Sequence, residues 1–191
     1  MATTQPIRNK QQVRELATYY LKIGKIRNHV LIVMGLHTAL RISDLLRLIW
    51  DDVYDFENNR VRTSISIIEK KTHKQKDIAL NNKAVTALAL YASKAAKPGC
   101  ALIENPNTKK VISRIQAYRL IRAAAEALDF QTRISCHSLR KTFGYHAWKS
   151  GVSPVIIMEI YNHSSLAVTR RYLGVTQDDK DAVYLGLELM L

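Results

Sequence analysis

The chain has 191 residues, 47% of them hydrophobic, which suffices for one large domain or two small ones with a packed core. Its 29 Lys and Arg against 16 Asp and Glu leave a formal charge of +13. Such a field gathers polyanions and argues for a nucleic-acid partner, although charge alone suits a ribosomal or membrane-surface protein equally. Cys100 and Cys136 form neither a disulfide framework nor a zinc spacing and read as two idle thiols in a reducing cytoplasm. The N-terminus MATTQPIRNK has no apolar signal-peptide region, and the run Val30 to Leu36 is far short of the about 20 residues of a membrane span. A soluble intracellular protein with no membrane association is expected.

Val13, Leu16, Ala17, Tyr20 and Leu21 write the stripe of a first amphipathic helix. An apolar segment from His29 to Leu36 leads to Ala39-Leu40-Arg41, and Ser43 is positioned to cap a short helix containing Leu45, Leu46 and Leu48, so that Arg41 falls at a turn between helices. Val61, Thr63, Ile65 and Ile67 alternate with Arg62, Ser64 and Ser66 as one strand; a second runs from Lys76 to Leu80, joined by the polar connection EKKTHKQK as a solvent-facing hairpin. Helical spacing returns at Ala84, Ala87, Leu88, Tyr91 and Ala95 and stops at Pro98-Gly99. After a loop from Asn105 to Lys110, Ser113 caps a helix buried through Ile115, Tyr118, Ile121, Ala125 and Leu128. The last third holds a helix from near His137, a turn at Ser150-Gly151, a helix from about Ser153 to Ile160, a shorter one leading to Tyr172, and an apolar tail from Ala182 to Leu191. No repeat or Gly/Ser linker marks a boundary, so the fold class expected is mainly α with a small antiparallel β-hairpin, in a single domain spanning 1–191.

Acidic residues are missing from 107–122 and from 131–158. These stretches are candidate DNA-facing surfaces, with Lys109, Lys110, Arg114, Arg119, Arg122 and Lys141 as candidate phosphate contacts beside Lys70 and Lys74 of the hairpin; solvated helix faces are the plainer alternative. Two strings carry chemistry: CHSLRKTFGYHAW, from Cys136 to Trp148, and YNHSSLAVTRRYLGV, from Tyr161 to Val175. A tyrosine closing a run of His, Arg and Arg is equipped to attack a phosphodiester, hold its charge and keep the broken strand attached. Taken singly, each residue has a blander reading as an ion-pair partner, a structural histidine or a packed tyrosine. A zinc site from Cys136, His137, His146 and His163 lacks paired-ligand spacing and explains neither the arginines nor the tyrosine; no metal or other cofactor is expected.

Together ALRISDLLRL (39–48), EKKTHKQKDIAL (69–80), HSLRKTF (137–143) and NHSSLAVTRRYLGV (162–175) resemble the catalytic domain of the tyrosine recombinases, the phage integrase family. The resemblance spans about residues 10 to 180 and implies that family's catalytic-domain fold. It assigns Arg41 and Arg140 as the paired arginines, Asp44 as a supporting acid, Lys71 as the hairpin lysine, His137 and His163 as the two imidazoles and Tyr172 as nucleophile. The chemistry of these side chains agrees. Two guanidiniums grip non-bridging oxygens as charge accumulates. The phenol, with an ordinary pKa of about 10, must lose its proton on attack, and His137 is the candidate acceptor. Lys71 is the candidate acid for the leaving 5′ oxygen, while His163 bonds a non-bridging oxygen. Lys70 and Lys74 remain alternatives to Lys71.

The sequence departs from the family pattern at Lys141, where many members have a second histidine, at Tyr161-Asn162, which replaces a frequent Leu-Gly, and at Ala79, where a proline is common. Arg41 also comes too early for a separate N-terminal DNA-clamping domain, as in short, catalytic-domain-only members; a fragment of a longer integrase is the alternative. The resemblance implies a site-specific recombinase of bacterial, phage or mobile-element origin acting in the cytoplasm on double-stranded DNA. It further implies a homotetramer on paired sites with a tail (176–191) that docks in trans; a free monomer with the tail docked on its own core is the alternative. A type IB-like topoisomerase and a catalytically inactive DNA-binding regulator of the same fold stand as alternatives.

Overall fold

Helix α2 (Ile26–His37) is the axis of the fold, because its residues from Asn28 to Leu36 are all buried. A helix apolar all round must be covered from several directions. Helices α1 (Lys10–Lys22), α5 (Asn82–Ala95) and α7 (Cys136–Lys149) provide that cover. Gly35 permits the close approach of α7, since a Cβ there would lie 2.7 Å from Leu139 Cδ1. The computed structural model describes residues 4–186, and the chain is mostly helical, at 55%.

Most sequence-derived elements stand where their periodicity puts them. Asn9 caps α1 through bonds to the Gln11 and Gln12 amides, and Asn81 caps α5 in the same way. Ser113 caps α6 (Arg114–Ala127) in a reciprocal box with Gln116. The buried face of α6, however, is Ala117, Ile121, Ala124 and Ala125, and Ile115 is 65% exposed. Two residues are about 200° around a helix. The alanine stripe that lets α6 pack closely therefore turns Ile115 outward.

Two further local expectations need correction. The strand foreseen from Val61 to Ile67 is two strands: β2 (Arg60–Val61) pairs with β1 (Tyr54–Asp55), and β3 (Ser64–Ile68) pairs antiparallel with β4 (Gln75–Ala79). The break falls where the Arg62 amide turns to the Val53 carbonyl while the Thr63 carbonyl accepts from the Leu80 amide. Helices α3 (Ile42–Leu45) and α4 (Trp50–Val53) precede β1, which follows α4 directly. Ser43 lies inside α3 and does not cap it; Arg41 occupies the cap position, its side chain committed to Glu69 and the Tyr161 carbonyl.

Two further helices, α8 (Pro154–Tyr161) and α9 (Leu166–Leu173), pack on α7 and on each other. Helix α10 (Gln177–Gly186) includes the start of the apolar tail, with Val183, Tyr184 and Leu185 exposed at 65%, 80% and 84%. The rest of the tail, 187–191, lies outside the described residues. Among the described residues no helix is long and apolar enough to cross a membrane.

Candidate active site

The end of α2 places the first cation. Thr38 returns its hydroxyl to the Met34 carbonyl, and Ala39 takes a left-handed conformation, φ 55°, while fully buried. A residue with a Cβ pays about 1–2 kcal/mol for that backbone, so packing must enforce it. The consequence is local. The Ala39 carbonyl accepts from the Arg140 guanidinium, and Arg41 emerges two residues later at the cleft.

Ser135 caps α7 at the His137 amide and forms a reciprocal box with Ser138. His137 and Arg140 are three residues apart and so share one helical face. Arg140 is 1% exposed: its guanidinium donates to the Ala39 carbonyl and, at 2.9 Å, to the Tyr161 carbonyl, and lies 4.5 Å from the Tyr161 ring centroid. Arg41 reaches the same Tyr161 carbonyl at 3.3 Å. That carbonyl is at the C-terminus of α8, where unpaired carbonyls attract cations. Asn162 ends the helix in a left-handed conformation, φ 50°, and turns the chain toward His163.

Tyr172, on the last turn of α9, stands between the two imidazoles, 4.8 Å from the His137 ring and 4.5 Å from the His163 ring by centroid. Burial raises its pKa above the ordinary phenol value, against the pull of the Arg140 and Arg41 charges. The hydroxyl is thus protonated at neutral pH. His137 keeps an edge open to the cleft, yet desolvation together with the Lys141, Arg140 and Arg41 charges pushes its pKa down to about 4. Desolvation and the Arg140 and Arg41 charges do the same to His163, also to about 4. Both rings are neutral at pH 7 and able to accept a proton. His163 Nδ1 is 3.1 Å from Thr169 Oγ1, leaving Nε2 without a partner among the described residues.

The hairpin is tied to this cluster by two carboxylates. Glu69, fully buried, forms an ion pair with Arg41 at 2.8 Å and accepts from Thr72 Oγ1 at 2.7 Å and Asn162 Nδ2 at 2.8 Å. Burial acts to raise its pKa, but those two hydrogen bonds and Arg41 hold it below the usual carboxylate range. Asp44, 2% exposed, accepts from the Lys70 amide at 2.9 Å. It therefore holds the hairpin backbone and not Arg41 directly. Lys70 and Lys71 line the main cleft, about 1140 Å³, with Arg41, Arg114, His137, Arg140 and Tyr172.

Other candidate contacts separate in space. Lys74, Lys109 and Lys110 are exposed, Arg122 is paired with Glu126, and Arg119 lines a different cavity with Arg27. Lys141 is a correction: at 5% exposure, with its ammonium on the Thr4 carbonyl at 2.7 Å, it is not presented to a phosphate in this structure. Sequence reasoning missed Glu69 and Lys76. Lys76 Nζ donates to the Ile160 carbonyl at 2.6 Å, and burial, with the Arg140 charge, brings its pKa down to about 8. The signals were present. Glu69 is the sole acid between Glu57 and Asp77, and Lys76 shares the inward strand face with Ile78.

A helical domain that gathers two arginines, two neutral imidazoles and a tyrosine at one cleft, with no acid exposed among them, defines a tyrosine-dependent DNA strand-transfer enzyme. The sequence profile of the Phage integrase family matches residues 8–178. The chain belongs to that family and is a site-specific tyrosine recombinase. It is 37% identical over 184 residues to the "Probable integrase/recombinase YoeC" of Bacillus subtilis (strain 168), covering 96% of this chain and 97% of that protein. It is 28% identical over 170 residues to the tyrosine recombinase XerD of Mycobacterium leprae (strain TN), covering 84% of this chain and 52% of the relative. The chain thus spans nearly all of the first and about half of the second. The crystal structure of XerA recombinase has the same fold, with a TM-score of 0.79 at 18% identity over 99% of this chain and 68% of XerA. XerH bound to a palindromic difH substrate, a post-cleavage complex, shares it at a TM-score of 0.75 and 17% identity, over 97% of this chain and 55% of XerH.

Proposed function

We propose that this protein binds double-stranded DNA along the main cleft and exchanges strands at a specific site through Tyr172. The observation that carries the reading is the Tyr172 ring held between His137 and His163 beside Arg140. Tyr172 Oη attacks the scissile phosphorus, its proton passes to neutral His137, and the bond from phosphorus to the 5′ oxygen breaks. Lys71 protonates that oxygen. The products are a 3′-phosphotyrosyl enzyme and a free 5′ hydroxyl, and the reverse steps with a second 5′ hydroxyl rejoin the strand without ATP. Arg41 and Arg140 neutralise the non-bridging oxygens as the transition state gathers charge, and neutral His163 hydrogen-bonds one of them. Arg140 donates to two carbonyls through Nη1 and Nη2, and its unpartnered Nε–H is among the donors left for an incoming phosphate.

In this reading Lys70 and Arg114 contact phosphates at the cleft wall and Lys74, Lys109 and Lys110 contact them farther out, while the chain acts as one catalytic domain. Assembly is the next step: the exposed Val183, Tyr184 and Leu185 of α10 dock on a neighbouring subunit in a tetramer on paired sites. Activity on chromosomal or phage DNA would set the protein in the cytoplasm.

The test begins with selection of bound duplexes from a random-sequence pool by the Tyr172→Phe protein. Wild type and variant are then incubated with a nicked form of the selected duplex and resolved on a denaturing gel. Wild type should give a covalent protein–DNA band; the variant should bind equally and give none. A shifted band from the variant, or none from wild type, overturns the assignment.

A further inference from the structure

Residues Thr4 to Arg8 precede α1 and belong to none of the motifs that point to strand transfer. They nevertheless lie along α7 and end against the helix that carries Tyr172. Ile7 is 2% exposed and packs with Leu16, Tyr20, Ile32 and Leu139. Its amide donates to Thr142 Oγ1 at 2.9 Å, and its carbonyl is 3.0 Å from His146 Nε2, one turn farther along α7. The segment is therefore fixed, not a trailing end.

Two cations connect it to the nucleophile. Lys141 donates to the Thr4 carbonyl at 2.7 Å, and the same ammonium lies 5.4 Å from the centroid of the Tyr172 ring. Arg8 donates through Nη2 to the Gly174 carbonyl at 2.9 Å, two residues beyond Tyr172. Gly174 closes α9 in a left-handed conformation, φ 65°, and a Cβ there would touch Arg8, Gln5 and Pro6 at 3.5 to 3.6 Å. The Arg8 guanidinium is steadied from its other side by the Tyr145 ring, 5.4 Å away.

A helix of eight residues has little stability of its own, so tertiary contacts decide where its last turn sits. Its N-terminus is held by Ser165 on the Val168 amide. At its C-terminus the orphan carbonyls call for a donor, and a guanidinium there also complements the helix dipole. We propose that Arg8 is a positioning residue for the strand-transfer reaction: by clamping the Gly174 carbonyl from the Thr4–Arg8 segment, it holds the Tyr172 hydroxyl in line for attack. The inference rests on Tyr172 being the nucleophile. Misplacement by about 1 Å is enough to slow attack about a hundredfold.

The experiment uses the full chain and the selected, nicked duplex, with wild type, Arg8→Ala and Arg8→Lys compared in single-turnover adduct formation at saturating protein. Arg8 is exposed, so Arg8→Ala should melt within about 2 °C of wild type. Duplex affinity should hold within about threefold, since one phosphate contact at most is at stake. Adduct formation should slow about tenfold or more, with partial recovery in Arg8→Lys. On a duplex with sulfur replacing the bridging 5′ oxygen, the ratio of wild-type to Arg8→Ala rates should stay the same, because the defect is in attack and not in leaving-group protonation. Arg8→Ala cleaving at the wild-type rate, or recovering selectively on the sulfur substrate, overturns the positioning role. No adduct from wild type overturns the nucleophile assignment itself, and this inference with it.

Discussion

Glu69 offers the sharpest test of how the hairpin is held to the catalytic cluster. Its carboxylate is fully buried, 2.8 Å from Arg41, with hydrogen bonds from Thr72 and Asn162. Removing one partner of a buried pair costs about 3–5 kcal/mol, chiefly because the other charge is left uncompensated. Arg41 keeps 19% exposure and a second bond to the Tyr161 carbonyl, so the lower end applies to Glu69→Ala, about 3 kcal/mol. Glu69→Gln retains the shape and much of the hydrogen bonding and should lose about 1–2 kcal/mol. For a domain of this size, about 3 kcal/mol corresponds to a fall of roughly 6–12 °C in Tm.

Thermal melts of the three proteins at neutral pH measure this, and a second set in acid tests the cause. The Glu69 pKa is depressed in the folded state, so its stabilisation is present above the unfolded carboxylate pKa and is lost as pH falls through the folded value. The gap between wild type and Glu69→Ala should therefore narrow toward pH 3. A Glu69→Ala protein within about 1 kcal/mol of wild type would refute the reasoning, as would a gap that is the same at both pH values.

Two other outcomes follow from the site. Lys71→Ala should be slow on ordinary DNA and recover much of its rate when sulfur replaces the bridging 5′ oxygen, because that leaving group needs no proton; selective rescue of Lys76→Ala instead would move the acid to the buried lysine whose pKa is brought down to about 8. His137 and His163 have folded pKa values pushed down to about 4, so the unfolded chain binds more protons between there and the ordinary histidine value, and stability should fall as pH drops from about 6.5 toward 4. Urea midpoints at pH 7 and pH 5 check this: wild type should lose more than His163→Gln, and equal losses would count against a desolvated, neutral His163.

Local signals in the chain were sufficient for several parts of this protein. The helices around Leu16, Leu88 and Ile121 follow from a 3.6-residue repeat, and the last also from Ser113 at its start, because periodicity and capping act over a few residues. The order Arg41, His137, Arg140, His163, Tyr172 named a chemistry because the side-chain types carry it wherever they are folded together. Tertiary structure alone decided how that chemistry is held. The ion pair of Arg41 with Glu69, the bond from Lys76 to the Ile160 carbonyl and the clamp of Arg8 on Gly174 join residues 28, 84 and 166 positions apart. Strand alternation set Lys76 on the inward face without saying what that face would meet. The basic run that read as a phosphate-binding surface buried Lys141 because α7 turned it toward the Thr4 carbonyl. A sequence pattern specifies which side of an element is apolar or charged; only the packing of distant elements determines whether a charge on that side finds solvent, a carboxylate or the end of a helix.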